Sequence, residues 1–142
     1  MADAELVVQA TLADVALATV QLRSLLPAWL SDGERDAIEL ALAEALTNIV
    51  EHGFGQDCEQ HVRLRLRERH AALEIDVWDQ GQPIPAGRLD AASASTTFMY
   101  DTTDLAAVPE GGMGLALIKS AFHEVRYASH DGLNRLHLVR RM

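Results

Sequence analysis

The strongest constraint on the fold is a pair of short segments in which apolar and polar residues alternate. Residues 61–67 read H-V-R-L-R-L-R, and residues 72–78 read A-L-E-I-D-V-W. A period of two is typical of strands with one buried and one solvated face, so these segments predict an antiparallel hairpin. A four-residue turn between the strands would set a register with three facing pairs: Leu64 with Ile75, Arg65 with Glu74, and Arg63 with Asp76.

The outer face of this predicted hairpin carries a row of arginines, which has two interpretations. The first is a solvated sheet face on which the arginines form cross-strand ion pairs with acidic residues. The second is a docking surface for an acidic partner.

Capping signals and helical spacing predict three helices in addition to the strands. Thr11 with Asp14, and Ser31 with Glu34, fit capping boxes, and Gly53 is expected to cap the end of the second helix. The helices are predicted at about 12–26, 34–52 and 114–122. Further strands are predicted at 4–10, 124–129 and 134–140, the last two joined by a tight Asp131–Gly132 turn.

These elements predict an α/β (α+β) two-layer sandwich that occupies residues 1–142 as one domain. We expect a mixed, mostly antiparallel sheet with the helices on one face. Residues 80–112 interrupt the pattern, because they are rich in Gly, Pro, Ser, Thr, Ala and Asp. So long a stretch without periodicity is typical of a lid or a disordered segment, and we expect a mobile lid over residues 86–111.

The charge balance narrows the class of partner. The chain has 12 basic and 21 acidic residues, and its net charge of −9 argues against nucleic acid and anionic membranes as partners. A nucleotide is not excluded, since backbone N–H groups and a metal ion can hold its phosphates. The single cysteine, Cys58, cannot form an internal disulfide. Because no signal-peptide or membrane-span pattern is present, we expect a cytoplasmic protein.

Two segments contain polar residues that are candidates for a binding site. Glu44 and Asn48 are four residues apart and share one helix face with the small residues Ala37 and Ala41. This face could form the wall of a pocket, or it could be an exposed polar face with nothing bound. Asp79 has the parity of the buried side of its strand, where it would either cap a turn or accept a hydrogen bond from a ligand.

A third candidate is the segment E-G-G-M-G-L at residues 110–115, which leads into the last predicted helix. Glycines before a helix N-terminus can expose N–H groups to an anion. The segment is neither a Rossmann fingerprint nor a Walker loop, since it does not open a βαβ unit and lacks G-K-[ST].

The order and spacing of the three segments resemble the GHKL ATPase superfamily with its Bergerat fold. The resemblance is greatest to the anti-sigma factor serine/threonine kinases. It lies in E-A-L-T-N-I-V-E-H-G-F, D-V-W-D-Q-G-Q-P-I and E-G-G-M-G-L-A-L-I-K-S-A-F-H-E-V-R-Y, and it extends over nearly the whole chain.

The resemblance implies a role for each candidate residue. Glu44 corresponds to the general base for a serine hydroxyl, and Asn48 to the Mg²⁺ ligand. Asp79 corresponds to the acceptor for the adenine amino group, and Gly81 allows the purine to approach. Gly112 and Gly114 correspond to the hinge of the ATP lid and the phosphate contact, and Met113 and Leu115 between and after them are also expected to bind the cofactor.

The resemblance also implies cofactors and partners. It implies ATP and Mg²⁺, a STAS-type anti-anti-sigma factor as the phosphorylated partner, a sigma factor, and a homodimer. Arg23 is a candidate contact to a partner, or an exposed arginine without a function. Two departures stand out: no Lys or Arg lies between Arg88 and Lys119, and Asn134 occupies a position where many relatives have Thr.

Two other functions stay open at this point. One is a non-catalytic module that uses ATP only to choose its partner. The other is a catalytic domain of a two-component kinase that acts on a separate phosphotransfer protein.

Overall fold

A computed structural model describes residues 3–53, 61–81 and 112–142. The strands are β1 (Asp3–Gln9), β2 (His61–Arg69), β3 (Ala72–Asp79), β4 (Glu124–His130) and β5 (Leu133–Arg141). The helices are α1 (Leu12–Leu25), α2 (Asp32–Asn48) and α3 (Gly112–Ala121), and a π-helical turn (Ile49–Gly53) follows α2. The expected lid at 86–111 lies outside the described residues.

The five strands form one sheet in the order β1-β2-β3-β5-β4. Each of the four neighbouring pairs is antiparallel. The predicted sandwich is confirmed, but the described part of the chain contains no parallel pair, so the sheet is not mixed there. The β2–β3 and β4–β5 pairs are hairpins, and a hairpin can only join antiparallel strands.

The turn between β2 and β3 is tighter than predicted. Only His70 and Ala71 separate the strands, and both have positive φ, 51° and 58°. Two-residue turns of this kind match the twist of the flanking strands. The resulting register contains the pairs Leu64–Val77, Arg65–Asp76 and Arg67–Glu74.

The predicted register is therefore wrong by two residues. The pairs that do not form are Leu64 with Ile75, Arg65 with Glu74, and Arg63 with Asp76. Because the shift is an even number, every side chain keeps its predicted face of the sheet. The second hairpin turn, Asp131–Gly132, is confirmed, with positive φ at both residues (51° and 80°).

All three helices pack on the same face of the sheet. Their buried side chains form one apolar cluster with the inner side chains of the strands. The members include Leu22 of α1, Leu42 and Leu46 of α2, Ile118 of α3, and Leu64, Ile75, Val77 and Leu138 of the sheet. Leu, Val, Ile and Ala fill almost all of this core, and burial of their apolar surface is what holds the two layers together.

The capping box predicted at the N-terminus of α2 forms completely, and the one predicted at α1 forms only in part. Ser31 and Glu34 form a complete capping box at α2. At α1, the Thr11 hydroxyl oxygen accepts from the Asp14 N–H, but the Thr11 N–H donates to the Gln9 carbonyl instead of the Asp14 carboxylate. The Thr11 hydroxyl donates to that carboxylate at 2.6 Å, so the predicted box is only half formed.

The outer sheet face carries the arginines. Arg65 lies 3.4 Å from Asp76, and Arg67 lies 3.8 Å from Glu74, so the cross-strand ion pairs form between the shifted partners. Arg63 has its guanidinium 4.8 Å from the centre of the Trp78 ring. These contacts match the interpretation of the arginine row as an ion-paired face.

In the part of the chain that the structure describes, no helix is both long enough and apolar enough to span a membrane.

Candidate functional site

Glu44 and Asn48 lie one turn apart at the C-terminal end of α2. Both are half-buried, and neither side chain forms a hydrogen bond or ion pair with another described residue. The opposite side of the helix is the core side, as predicted, because Ile38, Leu42 and Leu46 are completely buried. Two polar side chains of α2 therefore remain available to a ligand beside a rigid apolar base.

The small residues of this helix do not form the open stripe that was predicted. Ala37 is exposed, whereas Ala41 is completely buried and belongs to the core. The helix α2 packs against both α1 and α3, and a small side chain allows two helices to approach closely. The buried Ala41 therefore separates the exposed Ala37 from Glu44 and Asn48, so the predicted face is not continuous.

A change in helix geometry occurs directly after Asn48. The predicted helix to residue 52 instead ends at Asn48 and continues as a π-helical turn that ends at Gly53. The Ile49 N–H is shared between the carbonyls of Ala45 and Leu46. Short π-helical turns are frequent at functional sites because they alter the direction of nearby side chains. Apolar periodicity does not contain this signal, so the sequence analysis missed it.

Asp79 closes the apolar inner face of β3, where the alternation placed it. Its exposed fraction is only 6%, and its Oδ1 accepts a hydrogen bond from the Gly81 N–H at 2.9 Å. Burial raises the pKa of the Asp79 carboxyl, although hydrogen bonds from Asn134 and Gly81 partly oppose this effect. The turn-capping role is therefore present, and the second oxygen, Oδ2, accepts no hydrogen bond from a described residue.

Asn134 is the main residue whose role the sequence analysis did not identify. It faces Asp79 in the β3–β5 register and is almost completely buried. Its Nδ2 donates to Asp79 Oδ1 and to the Gly81 carbonyl, both at 2.8 Å. Asp79, Gly81 and Asn134 thus form one hydrogen-bonded cluster at the end of the β3–β5 pair.

The glycine-rich segment enters α3 earlier than predicted. The helix begins at Gly112 rather than near residue 114, so Gly112, Met113, Gly114 and Leu115 lie inside its first turns. The first N–H groups of a helix have no partner within the helix and carry its positive dipole end. Since α3 packs against α2, the structure brings the glycine-rich helix next to the helix of Glu44 and Asn48.

Arg23 has a structural function. Its Nη1 lies 2.6 Å from Asp36 Oδ1 and 2.7 Å from Glu39 Oε2, so it links α1 to α2. Arg23 is thus ion-paired, and a contact to a partner would have to compete with these two carboxylates.

No group of three or more His, Cys, Asp or Glu residues that could hold a metal ion occurs within residues 3–53, 61–81 and 112–142.

These features agree with what the comparisons with known proteins found. Residues 8–140 match the family described as "Histidine kinase-like ATPase domain". Because the match covers nearly the whole chain, the protein belongs to this family, and the resemblance drawn from the sequence is confirmed. Within the family, its curated relatives include serine and serine/threonine protein kinases.

Two of these relatives show how far the similarity extends. The chain is 31% identical over 135 residues to the serine/threonine-protein kinase BtrW of Bordetella bronchiseptica, covering 95% of this chain and 89% of BtrW. It is 29% identical over 100 residues to the serine-protein kinase RsbW of Bacillus subtilis, covering 70% of this chain and 61% of RsbW. The match thus spans less than two thirds of the length of that RsbW.

Solved structures share the fold. The RsbU and RsbW domains of Rv1364c from Mycobacterium tuberculosis match with a TM-score of 0.66 at 18% identity, covering 99% of this chain and 32% of that one. The catalytic domain of the histidine kinase ThkA matches with a TM-score of 0.52 at 13% identity, covering 99% and 96%.

Proposed function

We propose that this protein binds ATP and transfers its terminal phosphoryl group to a serine or threonine of a protein partner. The observation that carries the proposal is the Asp79 cluster. A carboxylate with 6% exposure keeps one oxygen without a protein donor among the described residues. This oxygen can therefore accept a hydrogen bond from a ligand that enters the site.

The adenine amino group is the donor that we assign to Asp79 Oδ2. Gly81 follows directly and has no side chain, so a flat purine can approach the backbone. The phosphates would then meet the first turns of α3, formed by Gly112, Met113, Gly114 and Leu115. Unpaired N–H groups at a helix N-terminus favour an anion there.

Mg²⁺ is the metal that we assign to Asn48. The residues fit this ion, because Mg²⁺ prefers oxygen ligands and usually takes only one or two from the protein besides phosphates and water. The Asn48 amide has no partner in the described residues and can supply one such oxygen. When bound, the ion would neutralise charge on the phosphates.

Glu44 is the general base that we assign to the reaction. It would accept the proton of the partner's hydroxyl while that oxygen bonds to the terminal phosphorus. The bond from this phosphorus to the bridging oxygen of ADP breaks, and ADP leaves. Phosphoryl transfer depends mainly on positioning and charge neutralisation, so one carboxylate on a rigid helix is sufficient as the base.

The partner proposed for phosphorylation is a STAS-type anti-anti-sigma factor, with a sigma factor as the alternative binding partner. This assignment rests on the resemblance of the three motif segments to the anti-sigma factor serine/threonine kinases. We further propose that residues 1–142 act as one cytoplasmic domain, that the protein is a homodimer, and that residues 86–111 form the ATP lid.

A nucleotide-dependent binding module without catalysis is the second candidate function. One observation favours it: residues 89–118 contain no Lys or Arg, so Arg88, near the start of the expected lid, is the one basic residue that the lid offers to the terminal phosphate.

The test is incubation of the protein with labelled ATP, Mg²⁺ and a candidate STAS-domain protein. The kinase proposal predicts label on a serine or threonine of the STAS protein. Tight ATP binding without transfer to any candidate STAS-domain protein would support the binding module instead.

A further inference from the structure

Asn134 uses every polar group of its side chain inside the site. Both N–H groups of Nδ2 donate, one to Asp79 Oδ1 and one to the Gly81 carbonyl, at 2.8 Å each. Its Oδ1 accepts the hydroxyl of Ser129 at 2.7 Å. The Asn134 side chain is 1% exposed, so water cannot replace these partners at low cost.

The direction of this amide is fixed by its neighbours. Asp79 Oδ1 and the Gly81 carbonyl can only accept a hydrogen bond, so they require the NH₂ end of Asn134. A reversed amide would place one oxygen against two others. The hydroxyl of Ser129 satisfies the remaining oxygen and closes the chain of hydrogen bonds.

The fixed amide of Asn134 also restricts the orientation of the Asp79 side chain. Its Oδ1 accepts from both the Gly81 N–H and Asn134 and is therefore occupied, which holds the plane of the carboxylate. Its Oδ2 is the oxygen without a donor in the described part of the structure. An ionised carboxylate in this fixed orientation offers an incoming ligand only a hydrogen-bond acceptor.

We propose that Asn134 is a positioning residue that makes the site selective for a base with an exocyclic amino group. The proposal rests on the proposed ATP binding. Adenine presents an amino donor to Asp79 Oδ2, whereas hypoxanthine presents a carbonyl oxygen at the same ring position. Two acceptors facing each other are unfavourable, and a site built on hydrogen bonds rejects such analogues strongly.

Without Asn134, two properties of Asp79 change together. The carboxylate can rotate, and it loses a donor that favours its ionised form. A protonated carboxyl can donate as well as accept, so it can bind the carbonyl of hypoxanthine. Loss of Asn134 therefore reduces the preference for adenine, rather than weakening all nucleotides equally.

The test compares the dissociation constants of ATP and ITP by calorimetry. The variants are Asn134→Leu, which removes all three hydrogen bonds, and Ser129→Ala, which removes the one that completes the amide network. Ser24→Ala is the control, because the exposed Ser24 hydroxyl bonds only the Gln21 carbonyl of its own helix.

We expect the unmodified protein and Ser24→Ala to prefer ATP by at least about a hundredfold. The preference is expected to fall at least about tenfold in Asn134→Leu, and by a smaller factor in Ser129→Ala. A folded Asn134→Leu that weakens both nucleotides equally would show a purely structural residue and overturn the inference.

If Asn134→Leu does not fold, Ser129→Ala decides, because Ser129 is exposed at the end of β4. An unchanged preference in that variant overturns the inference. Unmodified protein that binds ATP and ITP equally also overturns it and leaves ATP binding intact, whereas protein that binds neither overturns the proposed function as well.

Discussion

Asp79 is the side chain on which nucleotide binding depends in this account. Asp79→Asn replaces a charged acceptor by a neutral amide that can turn its NH₂ group toward the base. A hydrogen bond to a charged group contributes roughly 1.5–3 kcal/mol, so ATP affinity is expected to fall about tenfold or more. Calorimetry measures this directly, and wild-type affinity in the variant would remove Asp79 from the site.

Glu44 and Asn48 are expected to separate binding from catalysis. Glu44→Gln keeps the shape of the side chain, so ATP affinity stays near the unmodified value, while phosphotransfer falls about 10²–10⁴-fold. Asn48→Ala removes the proposed metal ligand, so both binding and transfer decline. Glu5→Gln on the outer sheet face is the control, since Glu5 is exposed on the side of the sheet away from the helices.

For single residues, the sequence predicted correctly which side chains are buried. It did not predict which side chains form hydrogen bonds with one another. The alternation of β3 placed Asp79 on the inner face, because parity along a strand is a local property. The Asp79–Asn134 hydrogen bond joins residues 55 positions apart, and no local pattern contains it. It became visible only when the β3–β5 register was known.

The turn between β2 and β3 contains residue types that are unfavourable for its backbone conformation. His70 and Ala71 both adopt positive φ, which disfavours side chains other than those of Gly, Asn and Asp. We expect the double change His70→Asn, Ala71→Gly to stabilise the protein by roughly 1 kcal/mol and to raise Tm by a few degrees.

The other hairpin supplies the matched control. Gly132 has φ +80° and nothing within 4 Å of a Cβ placed there, so strain alone opposes a side chain. Gly132→Ala is therefore expected to lower Tm. If thermal unfolding shows no change for either turn, the conformations of these turns contribute nothing to stability.

The same turn explains why the register was predicted incorrectly. Apolar alternation fixes which face a residue occupies but repeats every two residues, so it cannot distinguish registers that differ by two. Turn length decides between them, and His70–Ala71 lacks the Asn-Gly or Asp-Gly signal that identifies a two-residue turn. Asp131–Gly132 has that signal, and its turn was predicted correctly.

In the whole molecule, the two faces of the sheet have different functions. The inner face bears the apolar core and the Asp79 cluster. On the outer face, the Asp76 side chain is completely buried. Its Oδ1 lies 2.7 Å from Arg135 Nη2 and 2.7 Å from His137 Nδ1. The carboxylate can only accept, so His137 Nδ1 carries the hydrogen.

This cluster predicts part of the acid sensitivity of the fold. Burial alone would raise the pKa of Asp76, but hydrogen bonds from His137 and Arg135 hold it below its ordinary value. A lowered native pKa stabilises the fold above the pKa of the unfolded state, and this contribution is lost as the pH falls through the native pKa.

Asp76→Asn is therefore expected to cost about 3 kcal/mol at neutral pH and to reduce the loss of stability in acid. Urea unfolding across pH 2 to 7 measures both effects. Glu124→Gln, which breaks an exposed pair with Arg141, is the control and should cost less than about 1 kcal/mol. Equal acid dependence in Asp76→Asn and the unmodified protein would contradict this role.

The most direct test of the kinase assignment is single-turnover transfer from labelled ATP to a candidate STAS-domain protein. The unmodified protein and Glu44→Gln are compared at saturating ATP and Mg²⁺. We predict transfer to a serine or threonine by the unmodified protein and a loss of about 10²–10⁴-fold in Glu44→Gln. Transfer at an equal rate by both proteins would show that the base lies elsewhere, and no transfer by either would contradict the assignment as a kinase.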